Sequence, residues 1–381
     1  YTLSLHDALP ISVVHATALL TMLGWLAYGA SFHDSIVTAI AVLIITCPCA
    51  LGLAIPTVQT VASGALFGSG VLLNAGDAIE RIAEIDRVIF DKTGTLTLPE
   101  LDVANLAEIP EDVVRLAGRL ALSSRHPVAA AVARHAGAAA PLPDIQEEPG
   151  QGVHGLHDGR PIRLGRPSFC GAGELANEIL CNDPEASVVA FSYGESRYAF
   201  AVRQRLRPDA AEVVAGLVRM GIAVEIVSGD REPAVQLAAK MLGVHEWRAG
   251  VSPVDKISRI EQLVGQGCRV LMVGDGLNDA PALAAAHASM SPVTATHMSQ
   301  AVADAVFLGD RLAPVLAAVK VSRRALRLMR QNLSLAVVYN VLAVPIAIAG
   351  LVTPLIAAAA MSGSSVIVML NALRARAREV V

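Results

Sequence analysis

Hydrophobic positions gather at the two ends of the chain, and polar positions gather between them. Four apolar runs, at about 11–30, 35–62, 333–352 and 354–372, come near or exceed the ~20 residues a helix needs to cross a bilayer. The second run is longer than needed and is interrupted by Pro48 and Pro56. Phe32-His33-Asp34 marks the first turn, and Gly350 to Pro354 marks the last. Between Asp77 and Arg330 the period changes. Arg87 to Phe90, "AVEIVSGD" and "RVLMVGDG" read as short buried strands, with helical patterns at about 209–220 and 253–265 between them. Such alternation predicts a parallel, doubly wound α/β sheet whose site lies at the carboxyl ends of the strands.

From 96 to 203 the texture differs. Two helices are expected, at about 111–122 and 127–137, with Pro127 suited to the first turn of the second. Asp158-Gly159 and Gly194-Glu195 then sit between alternating runs, the signature of hairpins. This reads as an α+β domain inserted into the first. The expected organisation is two transmembrane helices in 13–76, one domain in 77–97 and 204–331, an insert in 98–203, two transmembrane helices in 332–373 and a tail in 374–381. The opening "YTLSLHDALPIS" fits none of this; residues 1–12 are expected to be a non-native leader.

Composition sharpens the picture. With 54% hydrophobic residues the chain is too apolar to be wholly soluble, so membrane lipid is an expected partner. A net charge of −4 with no basic block argues against nucleic acid. Five scattered cysteines make no disulfide framework, and the middle is expected to be cytosolic and reduced. Arg323, Arg324, Arg327 and Arg330 precede the third apolar run, and Arg374, Arg376 and Arg378 follow the fourth. The positive-inside tendency therefore places the middle and the C-terminus in the cytoplasm.

Chemistry concentrates at the strand ends. Asp91, in "DKTGT", follows a buried strand, and a carboxylate there can attack a phosphoryl group to form an aspartyl-phosphate. Alone, such an Asp is more often a turn cap. Three later pieces, in order, change that reading. Ser228-Gly229-Asp230 offers a hydroxyl and amides to phosphate oxygens, Lys256 can neutralise charge, and "GDGLND" with Asp275, Asn278 and Asp279 offers hard oxygens to Mg²⁺.

These motifs resemble the haloacid-dehalogenase superfamily, in the form used by P-type ATPases. Phosphatases of that superfamily carry a general-acid Asp two residues after the nucleophile; Thr93 stands there, which suits a persistent phosphoenzyme. The resemblance implies a haloacid-dehalogenase-like phosphorylation domain with an inserted nucleotide-binding domain, and ATP and Mg²⁺ as cofactors. It assigns Asp91, Thr93, Ser228 and Lys256 to phosphoryl transfer and Asp91, Thr93, Asp275 and Asp279 to Mg²⁺. Lys92, Gly229, Asp230 and Asn278 join the nucleotide and phosphate contacts. His126, in "SSRHPVA", is similar to the histidine that packs on adenine in heavy-metal pumps. Gly150 and Gly152 resemble the glycine pair near the ATP phosphates; with Gly155 they spell G-x-G-x-x-G, which lacks the strand and helix of a dinucleotide site. Two positions depart from the family: Arg125 replaces a common Glu, and Gln204 a common Asp.

The pattern "IITCPCALG" falls in the second apolar run. Pro48 has no N–H, so it frees the carbonyl of Ile44 and opens the helix, letting the sulfurs of Cys47 and Cys49 face one cavity. Thiolates are soft ligands that select Cu(I) over Mg²⁺ or Ca²⁺. With the phosphorylation motif downstream, C-P-C resembles the transport site of heavy-metal P-type ATPases. Tyr339 and Asn340 in the third run, and Met361, Ser364 and Ser365 on one face of the fourth, resemble the copper branch. "HASMSP" and "AMSGSS" resemble the branch serving cbb-type cytochrome oxidase assembly. Tyr339, Asn340, Met361 and Ser365 thereby join the two cysteines as expected ligands of the transported Cu(I) or Ag(I).

The resemblance spans Val13 to Arg376 and implies a C-terminal fragment of a copper-translocating ATPase of a bacterial inner membrane, supplied by a copper chaperone. The actuator with its T-G-E motif is not in the chain, so formation of the aspartyl-phosphate is expected without a full cycle. A zinc or cadmium pump, a membrane-anchored phosphatase and a metal-binding protein without turnover are the other readings. Thr93 speaks against the phosphatase, and the uncharged last runs speak against zinc.

Overall fold

The computed structural model describes residues 8–47, 49–137, 140–184, 186–275, 279–295 and 297–376. Residues 1–7 of the expected leader, Pro48, Asn278 and residues 377–381 of the expected tail lie outside the described residues. The chain forms two units, Tyr1–Glu84 with Pro314–Val381, and Ile85–Ala313.

The first unit is helical. Phe32–Gly68, Ala313–Ile348 and Pro354–Ala375 are long and apolar enough to cross a membrane, and Val13–Ala27 is a shorter apolar helix. The second apolar run is broken where the prolines predict, into Phe32–Ile45, Cys49–Ala54 and Pro56–Gly68. Small residues let these helices approach closely. Ala41, Val42 and Ile45 pack with Ala18, Ala347 and Ala357; Ala50 and Ala54 pack with Ala336 and Val368.

Two details differ from the sequence expectation. The first turn lies at Tyr28 to Ala30, because Ser31 caps the next helix by accepting from the Asp34 N–H, so Phe32-His33-Asp34 is already helical. The third apolar run is the second half of one helix, Ala313–Ile348. Lysine and arginine are good helix formers, so the basic stretch before Leu333 gives the helix no reason to stop.

In the second unit, six parallel strands lie in the order Ala305–Phe307, Ala288–Pro292, Val270–Val273, Arg87–Phe90, Ala223–Val227, Glu246–Arg248. Apart from the edge strand Glu246–Arg248, their side chains are buried almost throughout, as expected for a sheet covered by crossover helices. Register aligns Phe90 with both Val273 and Ile226, so the three loops that follow begin at one level. Glu225, on the strand Ala223–Val227 between Arg87–Phe90 and the edge strand, is 1% exposed, and Arg87, Arg248 and Arg259 all bond it, so the buried charge is paired.

Residues between Asp91 and Arg207 form the insert. Its antiparallel sheet has the order Thr97–Val103, Ser196–Leu206, Ser187–Tyr193, Arg160–Gly165, Gly152–His157, Gln146–Glu148. The helices Glu111–Ala121 and Pro127–Ala133 contribute Val114, Leu120 and Val132 to a core with Val153, Ile162, Phe191 and Phe200. Both hairpins turn where expected, at Asp158-Gly159 and Gly194-Glu195.

Candidate functional site

Asp91 is the first residue past the central strand Arg87–Phe90, and its N–H still donates to the Val273 carbonyl at 2.9 Å. Asp275 lies two residues past the neighbouring strand, and Asp279 precedes the helix Ala280–Ala285. Ligand oxygens of Asp91, Asp275 and Asp279 lie within 4.8 Å of one another. Lys256 enters from the helix Pro253–Gly265, whose start is held by a capping box between Ser252 and Asp255. Its Nζ donates to Asp91 Oδ1 at 2.6 Å and to Asp279 Oδ1 at 2.7 Å.

Three carboxylates and one ammonium leave this buried cluster with an excess of negative charge when all are ionised. Burial pushes the Asp91 carboxyl up to about 7, with Lys256 opposing and Asp279 adding to the rise. Burial, followed by Asp279, pushes Asp275 up to about 6. Burial works against the Lys256 ammonium, but Asp91 and Asp279 outweigh it and hold its pKa above the ordinary lysine value. A hard divalent cation with oxygen ligands fits this donor set.

Beside the cluster, Asp230 accepts from Lys92 Nζ and from the Thr93 hydroxyl, each at 2.9 Å. Burial opposes ionisation of Asp230, yet these partners hold its pKa below the ordinary value. The Ser228 hydroxyl accepts from the Asp230 N–H at 3.2 Å, and Gly229 lies between them. Thr93 is therefore turned to Asp230, while Asp91, Asp275 and Asp279 form the acidic cluster.

Arg207 is a feature that the sequence pattern did not single out. It is 2% exposed, and its guanidinium donates to the carbonyls of Thr95, Gly309 and Gly94. Thr97 closes the same loop: its hydroxyl accepts from the Gly94 N–H and lies 2.9 Å from Gln204 Oε1. Gln204 thus supplies the polar contact where the family commonly has Asp. Gly94 has no room for a side chain, because a Cβ would run into the Asp275 carboxylate. Nothing in the local pattern around Arg207 announces three carbonyl partners.

The insert holds a cavity of about 250 Å³, lined by His126, Gly150, Gly152, Ser124, Glu147 and Arg166 among others. His126 is exposed and caps its helix, Nδ1 accepting from the Val128 N–H at 3.3 Å. Three residues picked from sequence thus meet around one cavity; Gly155, within the strand Gly152–His157, does not line it.

In the helical unit, the side chains of Cys47 and Cys49 meet sulfur to sulfur as a disulfide across the break, with their Cα atoms 5.5 Å apart. The Tyr339 hydroxyl and Asn340 Oδ1 are buried without a hydrogen-bond partner among the described residues. Ser364 and Ser365 both donate to the Met361 carbonyl, at 2.7 and 3.2 Å. Asn332, fully buried, is a second residue the sequence did not single out. Its amide donates to the carbonyls of Ala54 and Val368 and accepts from Asn371.

Residues 85–287 match the model of the haloacid dehalogenase-like hydrolases. Nitrogen fixation protein FixI of Bradyrhizobium diazoefficiens is 68% identical over 97% of this chain and 51% of its own length. A copper-exporting P-type ATPase of Mycobacterium tuberculosis is 36% identical over 96% of this chain and 49% of its own length. The chain therefore spans about half the length of these curated relatives. A crystal structure of a zinc-transporting PIB-type ATPase in the E2.Pi state superposes with a TM-score of 0.76 at 28% identity, covering 97% of this chain and 62% of that one.

Proposed function

The chain belongs to the haloacid dehalogenase-like hydrolase family, and from that premise we propose that it takes the γ-phosphoryl group of ATP onto Asp91 to drive Cu(I) across a membrane. The observation that carries this reading is the bridge from Lys256 to Asp91 and Asp279, with Asp275 alongside. Lys256 holds Asp91 Oδ1, leaving Oδ2 to attack the γ-phosphorus as the bond to the ADP oxygen breaks. Asp91, Asp275 and Asp279 would hold Mg²⁺, which supplies charge neutralisation at the phosphoryl oxygens. Lys92, Ser228, Gly229 and Asp230 line the phosphate side, and residues 98–203 hold the nucleotide through His126, Gly150 and Gly152. A hydroxyl of ordinary pKa at Thr93 is a poor acid or base near neutral pH, so the acyl phosphate outlives its formation.

Copper is favoured over zinc by the ligands. Reduced, Cys47 and Cys49 present two soft sulfurs across a helix break, and the runs 333–352 and 354–372 carry no charged residue. The Tyr339 hydroxyl and Asn340 side-chain carbonyl, buried without a partner among the described residues, are polar groups at membrane depth that an ion or its waters would satisfy. Met361 and Ser365 complete the proposed path. The chain would lie in a bacterial plasma membrane, with the catalytic unit and C-terminus cytoplasmic, and a copper chaperone would deliver the ion.

The test is labelling with γ-³²P-ATP in the presence of Cu(I), Ag(I) or Zn(II). A label that hydroxylamine removes, that Asp91→Asn abolishes and that Cu(I) modulates more than Zn(II) is expected. A label unaffected by Asp91→Asn overturns the phosphoryl-transfer reading; modulation by Zn(II) alone overturns the copper reading.

A further inference from the structure

We propose that one exposed face of the helix Ala313–Ile348 binds an anionic phospholipid, its headgroup on Lys320, Arg324 and Arg327 and its acyl chains along Leu335, Val338 and Leu342. The inference goes beyond the transport reading and needs only that this helix lie in a bilayer. The helix has 36 residues, about 54 Å at 1.5 Å per residue. A hydrocarbon core of ~30 Å accommodates about 20 of them. Counted back from Ile348, where the helix ends before the last turn, the core reaches to about Met329. At 1.5 Å per residue, Arg327 and Arg324 then stand about 3 and 8 Å beyond that edge, in the headgroup layer where lipid phosphates lie, and Lys320 about 14 Å beyond it, from where its long side chain reaches back toward them.

The side chains fit that placement. Lys320, Arg324, Arg327 and Gln331 follow the spacing i, i+4, i+7, i+11, share a face and are exposed. The same face continues through Leu335, Val338 and Leu342, which are 45%, 55% and 62% exposed. Cationic and then apolar along one line, it matches the two ends of a lipid. Among the described residues none of these three cations has an ion-pair or hydrogen-bond partner, whereas Arg323 has one and Arg330 lies 4.0 Å from Glu84. From Arg311 to Arg378 the chain carries no Asp or Glu, so nothing on this stretch neutralises the face. Long basic side chains also reach along the helix to the interface while their stems stay on apolar surface.

The test counts lipid on the intact protein. The protein is placed in mixed micelles of phosphatidylcholine and phosphatidylglycerol, and lipid retained after gel filtration is measured by native mass spectrometry. Phosphatidylglycerol should be retained in preference. Each cation is expected to contribute about fivefold, equivalent to ~1 kcal/mol near an anionic surface. The triple variant Lys320→Gln, Arg324→Gln, Arg327→Gln should lose the preference, and Arg324→Gln or Arg327→Gln singly should weaken it about fivefold, so the test survives if the triple variant does not fold. Arg115→Gln, Arg219→Gln, Lys240→Gln, an equal change of charge elsewhere, should retain it. No preference in the wild type, or an equal loss in this control, overturns the proposal. Displacement of the lipid by millimolar inorganic phosphate would show a free-anion site and also overturn it.

Discussion

Arg207 donates from Nε to the carbonyl of Thr95 at 2.7 Å, although 112 positions separate them in the chain. The chain leaves the parallel sheet after Asp91 to build the insert and returns at Arg207. This contact, with those to Gly94 and Gly309, ties the exit to the return. Burial pulls the guanidinium pKa below the ordinary arginine value, but the donors are satisfied by carbonyls.

Arg207→Met should therefore leave three carbonyls without their donor. Unsatisfied buried groups cost about 1–3 kcal/mol each, with part recovered by water, so a loss of roughly 3 kcal/mol is expected. For a unit of this size that lowers the melting temperature by about 6–12 °C. Arg207→Lys, which cannot span three acceptors, should fall between the variant and the wild type. An unchanged melting temperature would show that the clamp contributes nothing.

Mg²⁺ should stabilise the protein by relieving the charge among Asp91, Asp275 and Asp279. At a free concentration a hundred times the Kd, the gain is about 2.7 kcal/mol. Asp275→Asn should weaken binding and shrink the thermal shift, while the same variant without Mg²⁺ should be no less stable than the wild type, because a crowded buried charge is removed. Thermal unfolding with and without Mg²⁺ reads both effects. An identical Mg²⁺ shift in Asp275→Asn would remove that residue from the site.

Gly152→Ala should harm the nucleotide cavity more than Gly150→Ala. Gly152 has φ +155°, and a Cβ there would run into the Leu164 carbonyl on the neighbouring strand; Gly150 has open space around it. Both substitutions strain the backbone by about 1–2 kcal/mol, but only Gly152→Ala also forces strands apart. ATP titration by calorimetry should rank the two in that order. The reverse ranking would show that the glycines act through flexibility and not through space.

His126→Asn keeps a side-chain acceptor for the Val128 N–H but removes the ring. If the ring packs on the base, ATP affinity should fall several-fold, on the order of 1 kcal/mol, with little change in melting temperature. Equal affinity for wild type and variant would reduce His126 to a helix cap.

Asn332→Leu removes an amide that ties together the end of the helix Cys49–Ala54 and the helix Pro354–Ala372. Hydrogen bonds between membrane helices average about 0.6 kcal/mol, and three are lost, so a penalty of about 1–2 kcal/mol is expected in detergent unfolding. Because the tie ends five residues beyond Cys49, Cu(I) affinity of the reduced cysteines should also fall. Loss of stability with unchanged Cu(I) binding would make Asn332 a purely structural tie.

Much of this protein was determined by local sequence. Asp91 and Asp275 stand at strand ends because buried four-residue runs stop at Asp or Gly-Asp. The second apolar run is interrupted between Ile45 and Cys49 and again before Pro56, as a pattern with two prolines leads one to expect, because proline cannot donate to the preceding turn. Both hairpins turn at their glycines because a turn needs φ > 0 nearby. The tertiary structure decided what depends on partners far along the chain: the lateral order of the strands, the bridge of Lys256 over 165 and 23 positions to Asp91 and Asp279, and the three carbonyls gathered by Arg207. It also decided that the basic stretch 320–330 continues into the membrane helix. Periodicity reports which face of an element is buried, but a buried polar side chain finds its partners only when distant segments close on it, and no spacing within one segment encodes that closure.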